Sequence, residues 1–403
     1  MPDTSPRLPL TGVRVLDLSR VLAGPMCGQA LADLGAEVIK IEHPGRGDDT
    51  RDWGLRVGQN NSAYFNSANR NKLSVGLDLQ TPEGQRIARE LAAKSDVVIQ
   101  NFKYGGIEKL GLGYDVLREL NPKLVYCSIS GYNRAGDEAA RPGYDLVVQG
   151  ESGLMAINGD AGQGPLKFGL AVVDLTTGMF AAQSILAALF DAQRTGQGRH
   201  VEAALFDTGV QMTAYYGMES LLRGADTPKY GNAHPSIIPY GVFEAADGPL
   251  VITVGNNAQF ARFCNEVIDR PDLAADERFK TNNGRSQHRE LLVEQINAEL
   301  IRRQRSELLP RLNAAGIPCG EVLGLLEALQ SERAHKAGLF TNTSDYDAAR
   351  EVPVMTPPYR IDGERLPVRR APPELAADTR QVLASLLGMT DADIDQLKAD
   401  GVL

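Results

Sequence analysis

The first third of the chain repeats a strand–helix–strand pattern, and this repeat limits the possible folds more than any other feature. Residues 12–41 contain an apolar strand, a helix and a second alternating strand, and residues 73–100 repeat the arrangement. A helix over 114–120 and a strand over 124–129 follow. Strands that alternate with helices are joined by crossovers between parallel neighbours. The pattern therefore predicts an α/β fold with a Rossmann-like, mainly parallel sheet.

The pattern changes after residue 205, and at 403 residues the chain is long enough for two domains. A hairpin is predicted on either side of Asp247-Gly248, followed by charged helices to about residue 315. Residues 203–222 are predicted to be helical. We therefore expect a large α/β domain over 1–205 and a smaller α+β domain over 225–325. A Pro-rich linker and two terminal helices over 326–403 are expected to return to the large domain.

Composition excludes several classes of partner. The net charge of −9 argues against a nucleic-acid surface and against a basic membrane-binding face. The N-terminus lacks the apolar core of a secretion signal, and no uninterrupted apolar run approaches ~20 residues. The scattered cysteines suit reduced thiols, so we expect a cytoplasmic protein that acts on small molecules. These cysteines are Cys27, Cys127, Cys264 and Cys319.

Familiar cofactor motifs are missing from the α/β region. The turn after the first strand lacks the G-x-G-x-x-G of a dinucleotide site, and the glycine-rich stretch 150–164 lacks the Lys-Ser/Thr of a phosphate loop. The chain has no G-x-S-x-G elbow and no H-E-x-x-H. The five histidines have no metal-ligand spacing, so no metal site is predicted.

Asp174 is the only charged residue between Gly169 and Phe190. The residues after it predict a helix with a broad apolar face, which places Asp174 at a helix N-terminus. Free backbone N–H groups and the helix dipole would keep a capping carboxylate ionised there. Such a residue is most often a helix cap, but a desolvated, positioned carboxylate can also be a nucleophile.

Eight segments together resemble the class III coenzyme A transferases, the group that contains formyl-CoA transferase, carnitine CoA-transferase and α-methylacyl-CoA racemase. The resemblance covers nearly the whole chain in order. Segments 231–240 and 254–260 are most similar to the succinyl-CoA:dicarboxylate members, and the chain has no Gly-Gly-Gly run of the formyl-CoA type. The eight segments are 12–25, 33–42, 45–51, 69–74, 96–102, 111–114, 141–145 and 174–178.

This resemblance makes Asp174 the expected nucleophile, which would form an aspartyl-CoA thioester through a mixed anhydride. It implies CoA transfer from succinyl-CoA to a short dicarboxylate or isosteric sulfinate, such as glutarate, itaconate or 3-sulfinopropionate. CoA would be a substrate, and no prosthetic group would be needed. The family also implies an interlocked homodimer.

Matching positions in the family supply the remaining site residues. His43 stands where the family often has Arg, which weakens that expected phosphate contact. For the acceptor, the far carboxylate needs a cation or an N–H donor, and the candidates are Arg20, Arg70 and His234. Basic candidates for the CoA phosphates are Arg46, Arg70, Lys72, Lys103, Lys109 and Arg141. The expected CoA-binding residues are Val21, Leu22, Ala23, His43, Lys72, Leu77, Asn101, Phe102, Lys103, Lys109, Arg141 and Tyr144.

Tyr144 bears on two alternative functions. In the racemase branch a histidine precedes the Asp of this motif and exchanges the α-proton, whereas here Tyr144 precedes Asp145. A tyrosine with its usual pKa near ~10 is a poor base at neutral pH. A racemase-like enzyme is therefore the second reading, and a non-catalytic acyl-CoA-binding protein is the third.

Overall fold

A computed structural model describes residues 7–344 and 351–403 of the protein. The strands are, in chain order, β1 (Arg14–Asp17), β2 (Glu37–Glu42), β3 (Arg56–Val57), β4 (Asn61–Ser62), β5 (Lys72–Gly76), β6 (Val97–Gln100), β7 (Val125–Ser130), β8 (His200–Ala204), β9 (Tyr240–Ala245), β10 (Gly248–Thr253), β11 (Cys319–Glu321), β12 (Phe340–Ser344), β13 (Glu351–Met355), β14 (Arg360–Ile361) and β15 (Glu364–Arg365).

The helices are, in chain order, α1 (Ala23–Asp33), α2 (Ala63–Ser67), α3 (Pro82–Ala93), α4 (Gly106–Lys109), α5 (Tyr114–Leu120), α6 (Asp145–Glu151), α7 (Leu154–Ile157), α8 (Val172–Thr195), α9 (Leu205–Met212), α10 (Ala214–Arg223), α11 (Asn257–Arg262), α12 (Pro271–Ala275), α13 (Asn282–Gln287), α14 (Arg289–Leu300), α15 (Arg305–Ala314), α16 (Leu325–Gln330), α17 (Glu332–Lys336), α18 (Thr379–Leu387) and α19 (Asp391–Ala399). A 3-10 turn covers Asp49–Asp52, and a π-helical turn covers Phe263–Val267.

Six parallel strands form the main sheet in the order β5-β2-β1-β6-β7-β8. The prediction of an α/β fold with a mainly parallel sheet is therefore confirmed. The chain builds outward from β1 in one direction through β2 and β5, and then in the other direction through β6, β7 and β8. The direction reverses between β1 and β6, and ligands of such sheets bind where loops diverge at this point.

The strand β8 was missed, because residues 203–222 were predicted to be helical from their start. The structure places a strand over His200–Ala204 before the helix α9 begins at Leu205. Strand β8 is at the sheet edge, and its side chains are only partly buried except for Ala204. A short edge strand with polar residues lacks the apolar run that identifies a central strand.

The chain divides into two compact units. The first contains Met1–Leu154, Lys167–Met218 and Arg333–Leu403, and the second contains Met155–Leu166 and Glu219–Glu332. The predicted large domain over 1–205 includes the segment Met155–Leu166, which this division assigns to the second unit. The second unit has the antiparallel sheet β11-β10-β9, which contains the predicted hairpin, and its own buried apolar core.

The C-terminal segment lies against β5 within the first unit. Ser74 and Asp378 exchange two hydrogen bonds, from Ser74 N to Asp378 Oδ2 at 2.9 Å and from Asp378 N to Ser74 O at 3.0 Å. The side-chain oxygen of Asn71 accepts from the backbone N–H groups of Arg369 and Arg370. These bonds satisfy backbone groups on the outer side of an edge strand.

Helix α8 is long and apolar enough to cross a membrane, judged by length and composition alone. In this fold it packs against α1 and against the strands β7 and β8, and its buried side chains include Ala181, Ile185 and Leu189. This is the position of a helix that covers one face of an α/β sheet.

Two fully buried ion pairs lie beneath the turn that follows β1. Lys72 Nζ is 2.9 Å from Asp17 Oδ2, and Lys40 Nζ is 2.9 Å from Asp48 Oδ2. Lys72 also donates to the Pro25 carbonyl oxygen at 2.8 Å and to the Asn69 side chain at 2.9 Å. Every donor of the Lys72 ammonium group therefore has a partner inside the protein.

Replacing Lys72 with methionine is expected to lower the free energy of unfolding by about 3–5 kcal/mol, because Asp17 would keep its buried charge without its cation. Urea unfolding of both proteins measures the difference. Arg56→Met is the control, because it breaks an exposed ion pair with Asp52 and should change the unfolding free energy by less than about 0.5 kcal/mol. A Lys72→Met protein as stable as the wild type would contradict this account.

Candidate functional site

Two adjoining clefts open at the carboxyl ends of the parallel strands. The first cleft, of about 930 Å³, lies among the loops after β1, β6 and β7, and Asp174 is in its wall. The second cleft, of about 760 Å³, lies among the loops after β1, β2, β5 and β6. Arg20 and Phe102 line both clefts, so the two spaces share a wall.

The shared wall is held by a reciprocal pair of hydrogen bonds across the point where the sheet direction reverses. Arg20 N donates to Asn101 Oδ1 at 2.9 Å, and Asn101 Nδ2 donates to the Arg20 carbonyl oxygen at 2.7 Å. Asn101 was predicted to bind CoA. Its amide instead joins the loops after β1 and β6, although it also lines the first cleft.

Val21 has a backbone conformation that β-branched residues rarely adopt, with φ of 71°. Its N–H group lies 3.2 Å from Asp48 Oδ1, the carboxylate that is paired with the buried Lys40. The strained turn therefore depends on a buried charge, and it lines the first cleft together with Leu22 and Ala23.

Asp174 is the third residue of α8, and the prediction that it caps this helix was wrong. The N-cap position is Ala171, and the capping carboxylate belongs to Asp145 at the start of α6. Asp145 Oδ2 accepts from Val173 N at 2.8 Å and from Asp174 N at 3.1 Å. The Asp174 side chain does not cap the helix, and it borders the first cleft.

The expectation that the helix end keeps Asp174 ionised was also wrong. Burial, and then the negative charge of Asp145, raise the pKa of Asp174 to about 7. Near neutral pH the carboxyl group is therefore shared between its neutral form and its nucleophilic, ionised form. A carboxylate with a raised pKa is more basic, and this suits covalent attack as long as the ionised fraction is substantial.

Gly178 lets α8 approach the turn after β1. A Cβ atom at this position would lie 2.5 Å from the Ala23 carbonyl oxygen and 3.0 Å from the Met26 Cβ atom. The spacing of Asp174 and Gly178 therefore has a packing reason. One helical turn after the carboxylate, the helix must pass close to the backbone that lines the first cleft.

Two side chains near Asp174 were not predicted as site residues. Asp145 was noted only as the neighbour of Tyr144, although its motif position could have identified it. Tyr64 in α2 has no sequence signal, yet burial and the charges of Asp174, Asp145 and Asp48 raise its pKa. Its phenol ring packs edge-on against Trp53, with ring centroids 5.6 Å apart.

Most of the predicted CoA-binding residues do line the clefts. The phosphate candidate Arg46 lines the second cleft. The residues in the first cleft are Val21, Leu22, Ala23, Asn101, Phe102, Lys103, Arg141 and Tyr144, and those in the second are His43, Leu77 and Phe102.

Lys72 and Arg70 do not reach either cleft, and both predictions were wrong. Lys72 is fully buried in its ion pair with Asp17. Arg70 is buried in a two-pronged contact with Asp33, in which Arg70 Nε is 3.0 Å from Asp33 Oδ1. Both cations are used within the protein, and a substrate phosphate or carboxylate would have to displace a buried carboxylate to reach them.

Lys109 lies at the end of α4, is exposed and lines neither cleft. His234 belongs to the second unit. Its Nδ1 atom accepts from the backbone N–H groups of Ser236 and Ile237, both at 3.1 Å, and burial lowers its pKa. This histidine is therefore a neutral residue that closes its own turn at physiological pH.

Lys103 and Arg141 differ in their availability to an anion. Arg141 forms ion pairs with Glu138 and Glu151 and lies over the Tyr132 ring. In the part of the chain that the structure describes, Lys103 has no ion pair and is exposed in the first cleft. Among the described cations of the first cleft, Lys103 is therefore the one that is open to a phosphate without breaking an existing pair.

The family model "CoA-transferase family III" matches residues 10–379. The chain belongs to CoA-transferase family III. It is 41% identical to a succinate–glutarate CoA-transferase of Agrobacterium fabrum, over 96% of this chain and 97% of that protein. It is 37% identical to a mouse succinyl-CoA:glutarate CoA-transferase, over 100% of this chain and 92% of that protein.

A crystal structure of a CaiB/BaiF family protein from Brucella suis is similar to this fold, with a TM-score of 0.83 and 37% identity. The match covers 94% of this chain and 99% of that chain. This CoA-transferase is therefore an enzyme whose CoA thioesters are substrates and not a bound prosthetic group.

The raised pKa of Asp174 predicts that this carboxyl group destabilises the CoA-transferase increasingly as the pH rises. The unfolded carboxyl group ionises near its ordinary pKa of 3.8, whereas the folded one holds its proton to about 7. Folding therefore becomes less favourable through this window, since the unfolded state releases the proton first. Asp174→Asn should raise the unfolding free energy by about 1–2 kcal/mol at pH 8, and the gain should fade towards pH 4.

Urea unfolding at pH 4, 6 and 8 measures this gain. The control is Asp115→Asn, which removes a carboxylate that also lies in the first turn of a helix but is 95% exposed. A stability gain for Asp174→Asn that is the same at pH 4 and pH 8 would show that the carboxyl group is not held in its neutral form.

Proposed function

We propose that this CoA-transferase moves CoA from succinyl-CoA to glutarate or a similar short dicarboxylate, through a covalent aspartyl-CoA intermediate on Asp174. One observation carries the proposal: Asp174 is the only acidic side chain among the described residues that line the first cleft. The names of the two relatives supply the donor and acceptor, at 41% and 37% identity over nearly the whole chain.

The two clefts provide a continuous place for CoA. The second cleft contains the apolar Leu77 and the basic Arg46 and His43, which suit a base and its neighbouring phosphates. The pantetheine arm would pass Phe102, which lines both clefts, and the thioester would reach Asp174 in the first. Lys103 would neutralise a phosphate on this path.

The chemistry consists of two nucleophilic exchanges. The Asp174 carboxylate attacks the thioester carbonyl of succinyl-CoA, the carbon–sulfur bond breaks, and a mixed anhydride and CoA thiolate form. The thiolate then attacks the Asp174 carbonyl and releases succinate, which leaves with one former carboxylate oxygen of Asp174. The acceptor carboxylate runs the same two steps in reverse. Because each step exchanges one acyl bond for another, the thioester energy is conserved.

This route predicts that one oxygen of the acceptor enters Asp174 in each turnover. With succinyl-CoA and glutarate labelled with ¹⁸O in its carboxylates, mass spectrometry of the peptide containing Asp174 should show the label. Asp174→Ala should reduce transfer at least about a thousandfold, because the nucleophile is lost. The matched control is Asp207→Ala, which removes an exposed carboxylate in the first turn of α9 and should leave transfer unchanged.

The covalent route would be wrong if Asp174→Ala transferred CoA at the wild-type rate. It would also be wrong if Asp174 contained no ¹⁸O after many turnovers. The acceptor is tested separately, with itaconate, malate, succinate and 3-sulfinopropionate measured beside glutarate. Deuterium uptake at the α-carbon of a branched acyl-CoA, without any acceptor, would instead support the racemase reading.

We also propose that the enzyme works as a homodimer in the cytoplasm, and that the two chains interlock. Apolar side chains on α8 support an association: Met179 is 47% exposed, Phe180 40% and Phe190 63%. A helix this apolar is unusual on a surface that faces only water. A second copy of the chain is the occupant that the family suggests.

Analytical ultracentrifugation should therefore give a mass near twice the 43.5 kDa of one chain at micromolar concentration. Replacing Phe190 with aspartate should shift the equilibrium towards the single chain, because a charge would be buried in the contact. Gln381→Asp, at an exposed position of α18, controls for the added charge. A wild-type protein that sediments as a single chain would contradict the proposal.

A further inference from the structure

A chain of hydrogen bonds runs from the edge of the main sheet to the shared wall of the clefts. Phe102 N donates to Gln100 Oε1 at 2.8 Å, and Gln100 Nε2 donates to Ser128 Oγ at 2.8 Å. Ser128 Oγ is 2.9 Å from His200 Nε2. Gln100 and Ser128 are fully buried, whereas His200 on the edge strand β8 is exposed.

The donors between Phe102 and Ser128 can point in only one direction. A backbone N–H group can only donate, so the oxygen of the Gln100 amide must face Phe102 and its nitrogen must face Ser128. The Ser128 oxygen accepts that bond, and its hydroxyl hydrogen is then available to His200 Nε2. The arrangement in which this hydroxyl also donates has His200 neutral, with its proton on Nδ1.

The surroundings of His200 favour this neutral form. The imidazole is stacked on Tyr114 at 4.9 Å between ring centroids and lies edge-on to Tyr126 at 5.3 Å. Loss of solvation where these rings cover the imidazole is the largest influence and lowers the pKa of His200, and Arg134 lowers it further. The acidic groups that act against this, from its own strand, α5 and α4, are Glu202, Asp115 and Glu108.

We propose that His200 is a positioning residue for CoA binding, which acts through Ser128 and Gln100 to fix the Phe102 backbone at the shared wall of the clefts. His200 touches no substrate in this role. The inference rests on the proposed function only in assigning the two clefts to CoA. When His200 gains a proton, Nε2 becomes a donor, and the Ser128 hydroxyl hydrogen loses its acceptor inside the sheet. The wall should then loosen as the pH falls below the range in which His200 is neutral.

Isothermal titration with CoA alone tests this role. At pH 7.5, His200→Phe should raise the Kd for CoA about three- to tenfold, because it keeps a ring and removes the acceptor. His200→Gln supplies an amide oxygen that cannot be protonated, and it should bind CoA within about twofold of the wild type. Between pH 7.5 and 5.5, the ratio of the wild-type Kd to the His200→Gln Kd should rise.

The matched control is His335→Gln, an exposed histidine on α17 that packs against Phe340 and lines neither cleft. It should leave the Kd and its pH dependence unchanged. If His200→Phe does not fold, Ser128→Ala breaks the same chain at its centre and should weaken CoA binding to a similar extent.

A His200→Phe protein that binds CoA as tightly as the wild type would overturn the proposal. Equal losses in His200→Phe and His200→Gln would also overturn it, since they would indicate a purely structural role. The titration contains CoA but no carboxylate substrate. The measured Kd therefore does not depend on whether the enzyme transfers CoA to glutarate or forms an intermediate on Asp174. A wild-type protein that does not bind CoA would refute both the assignment of the clefts and the role of His200.

Discussion

The buried ion pair of Lys40 and Asp48 is the interaction on which the geometry of the clefts depends. Lys40 Nζ donates to the Ser19 carbonyl oxygen at 2.8 Å, and Asp48 accepts from Val21 N at 3.2 Å. One pair of charges therefore holds the turn after β1 from two sides. That turn supplies Arg20 to both clefts and Val21 to the first. Without the Asp48 carboxylate, Val21 would lose the hydrogen bond that favours its left-handed backbone conformation.

The second constraint is that the Asp145 carboxylate caps α8, the helix that carries the Asp174 carboxyl group. Asp145 satisfies the free N–H groups at the start of α8, including that of Asp174 itself. Its charge also opposes ionisation of Asp174, in addition to the larger effect of burial. The same contact thus positions the carboxyl group that we propose as the nucleophile and makes it more basic. A helix dipole alone would have lowered the pKa of Asp174, so burial and the charge of Asp145 together outweigh it.

The sequence predicted the parallel sheet because strands and helices alternate along the first third of the chain. Leu77 and Phe102, which the family resemblance supplied, line the clefts because they follow strands whose carboxyl ends share one edge of the sheet. The strand β8 was missed because an edge position does not require an apolar run.

The basic residues show what a linear pattern cannot provide. Lys72 and Lys103 both belong to family motifs and lie in or just after a strand. Lys72 is buried in an ion pair, whereas Lys103 is exposed in the first cleft. The difference depends on Asp17, which is 55 positions away in the chain. Whether a lysine is buried depends on a carboxylate that the fold brings next to it. Such a partner cannot be identified from the motif spacing or from the residue type.

The site concentrates features that oppose stability, and buried ion pairs hold its backbone in one arrangement. Val21 is strained, and Asp145 and Asp174 place two carboxyl groups at one helix end, which raises the free energy of the folded state. The ion pairs of Lys40 and Lys72 are completely buried and contact the turn after β1 and the start of α1. Buried pairs are a weak source of net stability, but breaking one is costly, so they fix a single arrangement. Such rigidity suits the reaction that we propose, in which the same carboxyl group must face a thioester, an anhydride and a second thioester in turn. Each exchange requires the attacking atom to meet a carbonyl within about 3–3.5 Å, and a turn that could relax would lose that alignment.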